Sequence, residues 1–411
     1  MHICIIGAGI IGTTTAWELA QHGHRITLLE AREDAGLETS YANAGQLSYS
    51  YVAPLAEPSV LPNLPQWLLD SQSPLQFRPR LDVQQWRWGL AFLSACRADM
   101  AQRTKAQMLS LSYLSRDTLA QWQAQTRLDF AWCEAGKLIV YRSRKAWEKA
   151  QKAAQTESGE EIWDAAKCLR REPALTGLGE QIAGGIYAAD SAVADCHALS
   201  QCLASKLRAL PNASMRTSAR VVALERSQGR ITTARLASGE HIEADHFVLS
   251  NALGACPLLR ALGEDVPLYG LKGYSLSVPL TANDSAPHIS VTDYERRIVY
   301  ARIGGVLRIA AMVDMGDTST QPNPARMALL QRQVAEIFPH LPLEKAQVWA
   351  GLRPATPDSK PRIGRSKVAT NAWLNLGHGA LGFTLACGSA VLLRHLMESS
   401  NPPIDTAPFQ P

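Results

Sequence analysis

An α/β fold in two interleaved parts is what three features of this sequence predict. The chain opens on a strand, a glycine-rich turn, a helix and a second strand. Another glycine-rich turn between a strand and a helix returns at 377–382. Between the two lie β-rich runs, and Gly304-Gly305 joins two of them with the signal of a two-residue hairpin. The first two features predict a Rossmann-like sheet. The third predicts a discontinuous α+β part built on an antiparallel sheet.

Size and composition permit this. At roughly 150 residues per domain, 411 residues make two or three domains. The chain is 46% apolar and 19% charged, enough for a large core and too apolar for disorder. Against 41 basic residues stand 37 acidic ones, and the surplus of +4 is too small over this length to imply a nucleic-acid binder. No run approaches about 18 apolar residues, so no membrane span is predicted. The opening Met1-His2-Ile3-Cys4-Ile5-Ile6 already reads as a buried strand, not a secretory signal. The eight cysteines are scattered, without C-x-x-C or zinc-like spacing. A reduced cytoplasmic protein without disulfides or a metal site is expected.

In the opening turn, Gly7-Ala8-Gly9-Ile10-Ile11-Gly12 has the spacing G-x-G-x-x-G. Gly7 permits the tight turn, Gly9 lets backbone approach a pyrophosphate, and Gly12 lets helix and strand pack closely. The helix that follows offers free N–H groups and the positive end of its dipole to the phosphates. Glu30 closes the second strand, where a carboxylate accepts both ribose hydroxyls of an adenosine and repels a 2′-phosphate. Small and polar residues come next, in Glu38-Thr39-Ser40-Tyr41-Ala42-Asn43-Ala44-Gly45-Gln46, and suit a loop pressed on a cofactor. The late turn, Gly377-His378-Gly379-Ala380-Leu381-Gly382, feeds a helix over 383–397. One dinucleotide needs one phosphate turn, so this second helix end suits the N1–C2=O edge of a flavin.

Further along, 82–125 reads as helical, with Met108, Leu111, Leu119 and Trp122 on one face. Asp195 is placed to cap a helix over 197–209. Residues 218–224, 231–236 and 246–250 read as strands of the nucleotide-binding part, and 271–312 as the antiparallel sheet.

The turns just described, with Pro267-Leu268-Tyr269-Gly270-Leu271-Lys272-Gly273-Tyr274-Ser275, Trp349-Ala350-Gly351-Leu352-Arg353-Pro354-Ala355-Thr356-Pro357-Asp358 and 376–388, span nearly the whole chain. In this order they resemble the D-amino-acid oxidase superfamily of flavoproteins, and within it the D-amino-acid dehydrogenases. The resemblance implies a noncovalent FAD. It also implies oxidation of a small-molecule D-amino acid to an imino acid, by hydride transfer to the flavin, then hydrolysis to a 2-oxo acid and ammonia. Electrons then pass to a quinone or another acceptor. The implied FAD-binding domain covers 1–46, 190–258 and 345–400, and the substrate domain 47–189 and 259–344. The implied FAD contacts are Gly7, Ala8, Gly9, Ile10, Ile11, Gly12, Glu30, Ala31, Arg32, Ser40, Asn43, Ala44, Gly45 and Gln46. Val221, through its backbone at the adenine, Gly351, Gly377, His378, Gly379, Gly382 and Thr384 complete the set. Ser250-Asn251-Ala252-Leu253-Gly254 departs from the plainer small-residue run usual in the family.

Four residues are candidates for the chemistry. Arg353, held between Gly351 and Pro354, offers a fork that matches an amino-acid carboxylate. The alternative is an internal ion pair with Asp358. Tyr274 and Tyr300 either hydrogen-bond that carboxylate or belong to the core. His378 either meets substrate or flavin, or merely caps the helix. Tyr49 and Tyr51 are candidates for the substrate entrance. Residues 86–93 mix aromatic and basic side chains. They either pack on the substrate domain, the favoured reading, or rest on the inner face of the plasma membrane near a quinone pool. Rival functions are oxidation of a cyclic or secondary amino acid (D-hydroxyproline, sarcosine or glycine), a flavin subunit that only relays electrons, and an NAD-dependent dehydrogenase.

Overall fold

The computed structural model describes residues 1–70, 72–154, 159–282 and 284–411. Strand β1 (His2–Ile6), helix α1 (Ile10–Gln21) and strand β2 (Arg25–Leu29) form the expected opening unit. β1 and β2 are neighbours in a six-stranded sheet, with β1 at its centre. Its order is Arg362–Arg365, Ala372–Leu376, His246–Leu249, β1, β2, Ala213–Arg216, parallel except for its first pair. Both faces are covered, which is why β1 reads as an unbroken apolar run. Ile3 and Ile5 pack under α1 and the helices Cys196–Arg208 and Gly382–Met397, whereas Cys4 and Ile6 pack on the opposite face.

That opposite face departs from expectation. Of the three strands assigned to the nucleotide-binding part, His246–Leu249 alone joins the parallel sheet. Val221–Ser227 and Arg230–Leu236 pair with each other and, with His241–Glu243, make a separate antiparallel meander. Leu224, Ile231 and Leu236 press this meander against Cys4, Ile6 and Phe247.

The helical stretch 82–125 is two helices, Val83–Ala95 and Ala98–Gln125, broken where Arg97 is extended. Met108, Leu111, Leu119 and Trp122 are all buried. Helix Gly382–Met397 lies against Ala98–Gln125 so closely that a Cβ on Gly388 would come within 2.6 Å of the Leu111 carbonyl oxygen. With its leading turn, this helix is long and apolar enough to cross a membrane by length and composition alone. Instead 61% of that window is buried inside the protein. Asp195 caps Cys196–Arg208 as expected, its Oδ1 accepting from the amides of His197 and Ala198 at 2.9 and 3.1 Å. The stretch after residue 46, which reads as irregular, contains the helix Val60–Leu69.

The second sheet runs Gln347–Ala355, Tyr269–Pro279, Val306–Met315, Ile298–Ile303, Ser290–Asp293, Lys137–Tyr141, Gly184–Ala188, Glu160–Asp164, and Leu75–Phe77 also pairs with Val306–Met315. It is mixed, not purely antiparallel. Ser290–Asp293 runs parallel to Lys137–Tyr141, and Leu75–Phe77 parallel to Val306–Met315. The hairpin at Gly304-Gly305 is present. Gln347–Ala355 sits in this sheet, with Arg353 opposite Leu271, although 345–400 was assigned to the other part. Long-range pairing with Tyr269–Pro279 overrides its place in the chain.

Strand alternation sorts the residues between two faces. Tyr274, Leu276, Ile309 and Tyr300 share the face covered by helix Pro324–Ala335. Gly273, Ser275, Arg308 and Arg353 share the other. Residues 39–51 cross that second face as a strap, tied to one strand after another. Thr39 Oγ1 donates to the Leu352 carbonyl at 2.8 Å and Ser275 Oγ to that of Ala42 at 2.7 Å. Arg308 Nη1 donates to the Asn43 carbonyl at 3.0 Å, and Gln46 Nε2 to Ser290 Oγ at 2.6 Å. At the far end the Lys137 ammonium stands 4.2 Å above the Tyr51 ring.

Candidate active site

The opening turn separates its glycines by cause. Gly7 has φ +99°, and a Cβ there would meet Asn251 Cα at 2.7 Å. A Cβ on Gly12 would overlap the Gly7 carbonyl. The chain alone therefore requires both. Gly9 has an ordinary φ of −69° and meets nothing closer than Ser40 Oγ at 3.4 Å. Its missing side chain leaves a cradle at the N-terminus of α1, which fits a diphosphate. Nearby, Ser40 Oγ accepts from the Ile10 amide at 3.0 Å.

Glu30 is buried, with Oε2 accepting from the Ala8 amide at 2.7 Å and Oε1 from the Arg32 amide at 2.9 Å. These bonds fix its carboxylate at the end of β2, and the remaining lone pairs can accept ribose hydroxyls. The Arg32 guanidinium turns away to pair with Glu38. Backbone bonds from Ala219 to Glu30 and from Ser218 to Arg32, both 2.7 Å, bring the start of strand Val221–Ser227 alongside. Ser250 Oγ and Asn251 Oδ1, in the segment that departs from the family pattern, are buried without a hydrogen-bond partner among the described residues. Polar atoms orphaned beside Gly7 fit a polar ligand.

At the late turn, His378 is engaged by the helix that follows. Its Nε2 shares a 2.9 Å hydrogen bond with Ser389 Oγ on the helix it precedes, and its backbone bridges to Ala355. Burial pulls its pKa down from 6.5 to about 3, so the imidazole is neutral. The ring thus locks the turn to the helix that follows it. Gly382 and the buried Thr384 stand in the first turn of that helix. An unfolded chain would protonate His378 near 6.5, so falling pH favours unfolding between there and about 3. The loss amounts to at most about 1.4 kcal/mol per pH unit. Thermal melts from pH 6.5 to 5 should therefore fall more steeply for wild type than for His378→Asn. Parallel curves would contradict this.

Arg353 lies on the strap side of the second sheet, its guanidinium packed on Gly273, where a Cβ would collide with it. The bend that makes room is a bulge between Lys272 and Tyr274, opposite Met312, whose φ is +66°. Arg353 Nη1 donates to the Met312 carbonyl at 3.1 Å. Desolvation draws the guanidinium down to about 10, still charged at neutral pH. The alternative ion pair does not form, because Asp358 pairs with Arg362 at 3.0 Å and with Lys360 at 3.6 Å. Among the described residues no carboxylate lies within ion-pair distance of Arg353, which leaves this partly buried cation free for a carboxylate from outside. Gly351 is required locally, since the Trp349 indole crosses it.

The two tyrosines do not join Arg353. Tyr274 donates from its hydroxyl to Asp314 Oδ2 at 2.7 Å, and Asp314 Oδ1 pairs with Arg326 at 2.8 Å. Tyr300 packs edge-on against Phe338, 5.2 Å between ring centres. Both belong to the core beneath helix Pro324–Ala335, on the face opposite Arg353. Burial raises both phenols well above their usual range. Tyr49 is likewise in the core, and Tyr51 ends the strap under Lys137. Sequence reasoning passed over Arg308, which shares the strap face with Arg353. Its signal was a lone charge within the apolar run Val306-Leu307-Arg308-Ile309-Ala310-Ala311.

The family described as FAD dependent oxidoreductase (DAO) matches residues 2–396. The chain belongs to that family. Among curated relatives of this DAO-family chain is "D-amino acid dehydrogenase 2" of Pseudomonas aeruginosa, 46% identical, covering 100% of this chain and 98% of that protein. A protein of the same name from Ralstonia nicotianae is 44% identical and covers 100% and 99%. Among solved structures, glycine oxidase from Geobacillus kaustophilus superposes with a TM-score of 0.74 at 20% identity, covering 99% of this chain and 97% of that one. Like the family, the DAO-family chain is an FAD-dependent oxidoreductase. The cradle at Gly9, the fixed Glu30 and the orphaned Ser250 and Asn251 are the groups that would hold the cofactor.

Proposed function

We propose that the chain oxidises D-amino acids to imino acids, which water converts to 2-oxo acids and ammonia. The observation that carries this reading is Arg353, a guanidinium on the strap face with no carboxylate within ion-pair distance among the described residues, the acid that acts on it, Asp314, being held by Arg326 and Tyr274. Such a fork binds and orients an amino-acid carboxylate, and orientation is most of what the protein must supply. FAD, when bound, supplies the two-electron acceptor for the Cα–H hydride. The names of the relatives supply the D-configuration.

For the electrons we infer a quinone at a membrane surface, reached from helix Val83–Ala95. Val83, Trp86, Leu90 and Leu93 are exposed at spacings of one helical face, with exposed Leu81 beside them. Trp88 on the other side anchors the helix by donating to the Ala355 carbonyl at 2.8 Å. Arg80 and Arg87 flank the apolar stripe. An apolar stripe with basic flanks suits anionic lipid, and the helix thus serves both readings of 86–93, packed on one side and open on the other. The inner face of the plasma membrane is the location this implies.

Anaerobic bleaching of the flavin with paired D- and L-amino acids tests the activity. Bleaching by D-alanine and not L-alanine is expected, and equal rates would overturn the reading. Reoxidation by a water-insoluble quinone should speed up when it is embedded in anionic vesicles, and should not for Leu90→Glu.

A further inference from the structure

Arg308 is the second arginine on the strap face, and among the described residues no carboxylate lies within ion-pair distance of it. It is 9% exposed, and its Nε is buried without a partner. Nη1 alone is engaged, on the Asn43 carbonyl at 3.0 Å. The charged or titratable groups facing it are Asp195, Cys196 and Tyr41. Asp195 is outside ion-pair distance and spends its Oδ1 on two helix amides. Cys196 is a buried thiol, raised to about 12 and therefore neutral. A buried cation left unanswered costs several kcal/mol, so an anion from outside the chain is called for. Arg353 already answers the substrate carboxylate. The surroundings of Arg308 lead elsewhere: Cys196 contacts both Asn43 and Ser40. Ser40 Oγ in turn accepts from the Ile10 amide beside the Gly9 cradle.

We propose that Arg308 is a cofactor-positioning residue that gives the diphosphate of FAD a positive charge from the sheet side, opposite the N-terminus of α1, while its Nη1 holds the strap closed over it. The proposal rests on FAD occupying the Gly9 cradle. The sheet thus contributes a fixed charge to a site otherwise made of backbone amides.

The test measures FAD release from the purified holoprotein on dilution, followed by the return of flavin fluorescence. ADP, which has the diphosphate and no flavin, competes for rebinding. Arg308→Met should weaken FAD and ADP alike by about 10- to 100-fold, the worth of a charge-assisted hydrogen bond. Arg308→Lys should recover part of this. The salt dependence of FAD affinity should be shallower in Arg308→Met than in wild type, a change that looser packing would not cause. Should Arg308→Met prove insoluble, Arg308→Gln, which also removes the charge, is compared with wild type across salt instead. FAD affinity within about threefold of wild type overturns the proposal. So does a loss for FAD with ADP unchanged, which assigns Arg308 to the strap or to the flavin ring. If Gly9→Val also leaves FAD and ADP affinity intact, the cradle itself is misassigned.

Discussion

Arg353→Ala should lose about 30-fold to several thousand-fold in kcat/KM for D-alanine, because truncating one member of a buried charge pair costs roughly 2–5 kcal/mol. FAD content should stay near that of wild type, since Arg353 lies over Gly273 and Met312, away from the Gly9 cradle. Arg353→Lys should recover little. An ammonium cannot reproduce the two-pronged grip or keep the bond to the Met312 carbonyl at the same time. The sharper reading comes from amines that lack a carboxylate. For them the defect should shrink, because the interaction removed is absent from wild type as well. Anaerobic stopped-flow reduction measures both. An equal loss for substrates with and without a carboxylate would make Arg353 a prop for the bulge at Met312. Reduction by D-alanine at nearly the wild-type rate would move the clamp elsewhere.

Gly9→Val should give a folded, colourless protein. The chain leaves room for a Cβ at Gly9: its φ is ordinary and the nearest atom such a Cβ would meet is Ser40 Oγ at 3.4 Å. The added atoms would instead enter the cradle before α1 and collide with the diphosphate. Forcing groups into an already filled site costs about 1–3 kcal/mol, or about 5- to 150-fold in FAD affinity, enough to strip the cofactor during purification. Gly12→Val is the contrast, since its Cβ meets the Gly7 carbonyl and the turn itself must break. Absorbance near the flavin band, read beside a thermal melt, separates the two. A fully yellow Gly9→Val protein would mean that the phosphates sit elsewhere.

What the sequence made legible was local. The β1–turn–α1–β2 unit, the Asp195 cap and the hairpin at Gly304-Gly305 each depend on neighbours a few residues apart. The opening turn carries part of its reason in its own conformation, at Gly7 with φ +99°. The two-sidedness of the second sheet was not legible. Tyr274 and Arg353 both sit on strands of the site, yet their faces follow from the register between 269–279 and 347–355 and from the bulge opposite Met312. Neither is a property of a short window. His378 misled for a different reason. A histidine in a glycine turn invites a chemical role, and the bond that occupies its Nε2 comes from Ser389, eleven residues away on the following helix. The meander at 221–243 has strand-like residues whichever sheet it joins, so composition could not assign it.

The strap has a consequence for how this chain tolerates change in length. Surface loops ordinarily accept extra residues because their two ends are all that is fixed. Between Thr39 and Gln46 the contacts are instead spent on successive strands, from Leu352 through Ser275 and Arg308 to Ser290. One added or deleted residue would put every later anchor out of step, as a dropped stitch displaces the row behind it. The segment is a ruler laid across the sheet. Its length is fixed by the spacing of the strands beneath it, even at positions where the side chain touches nothing.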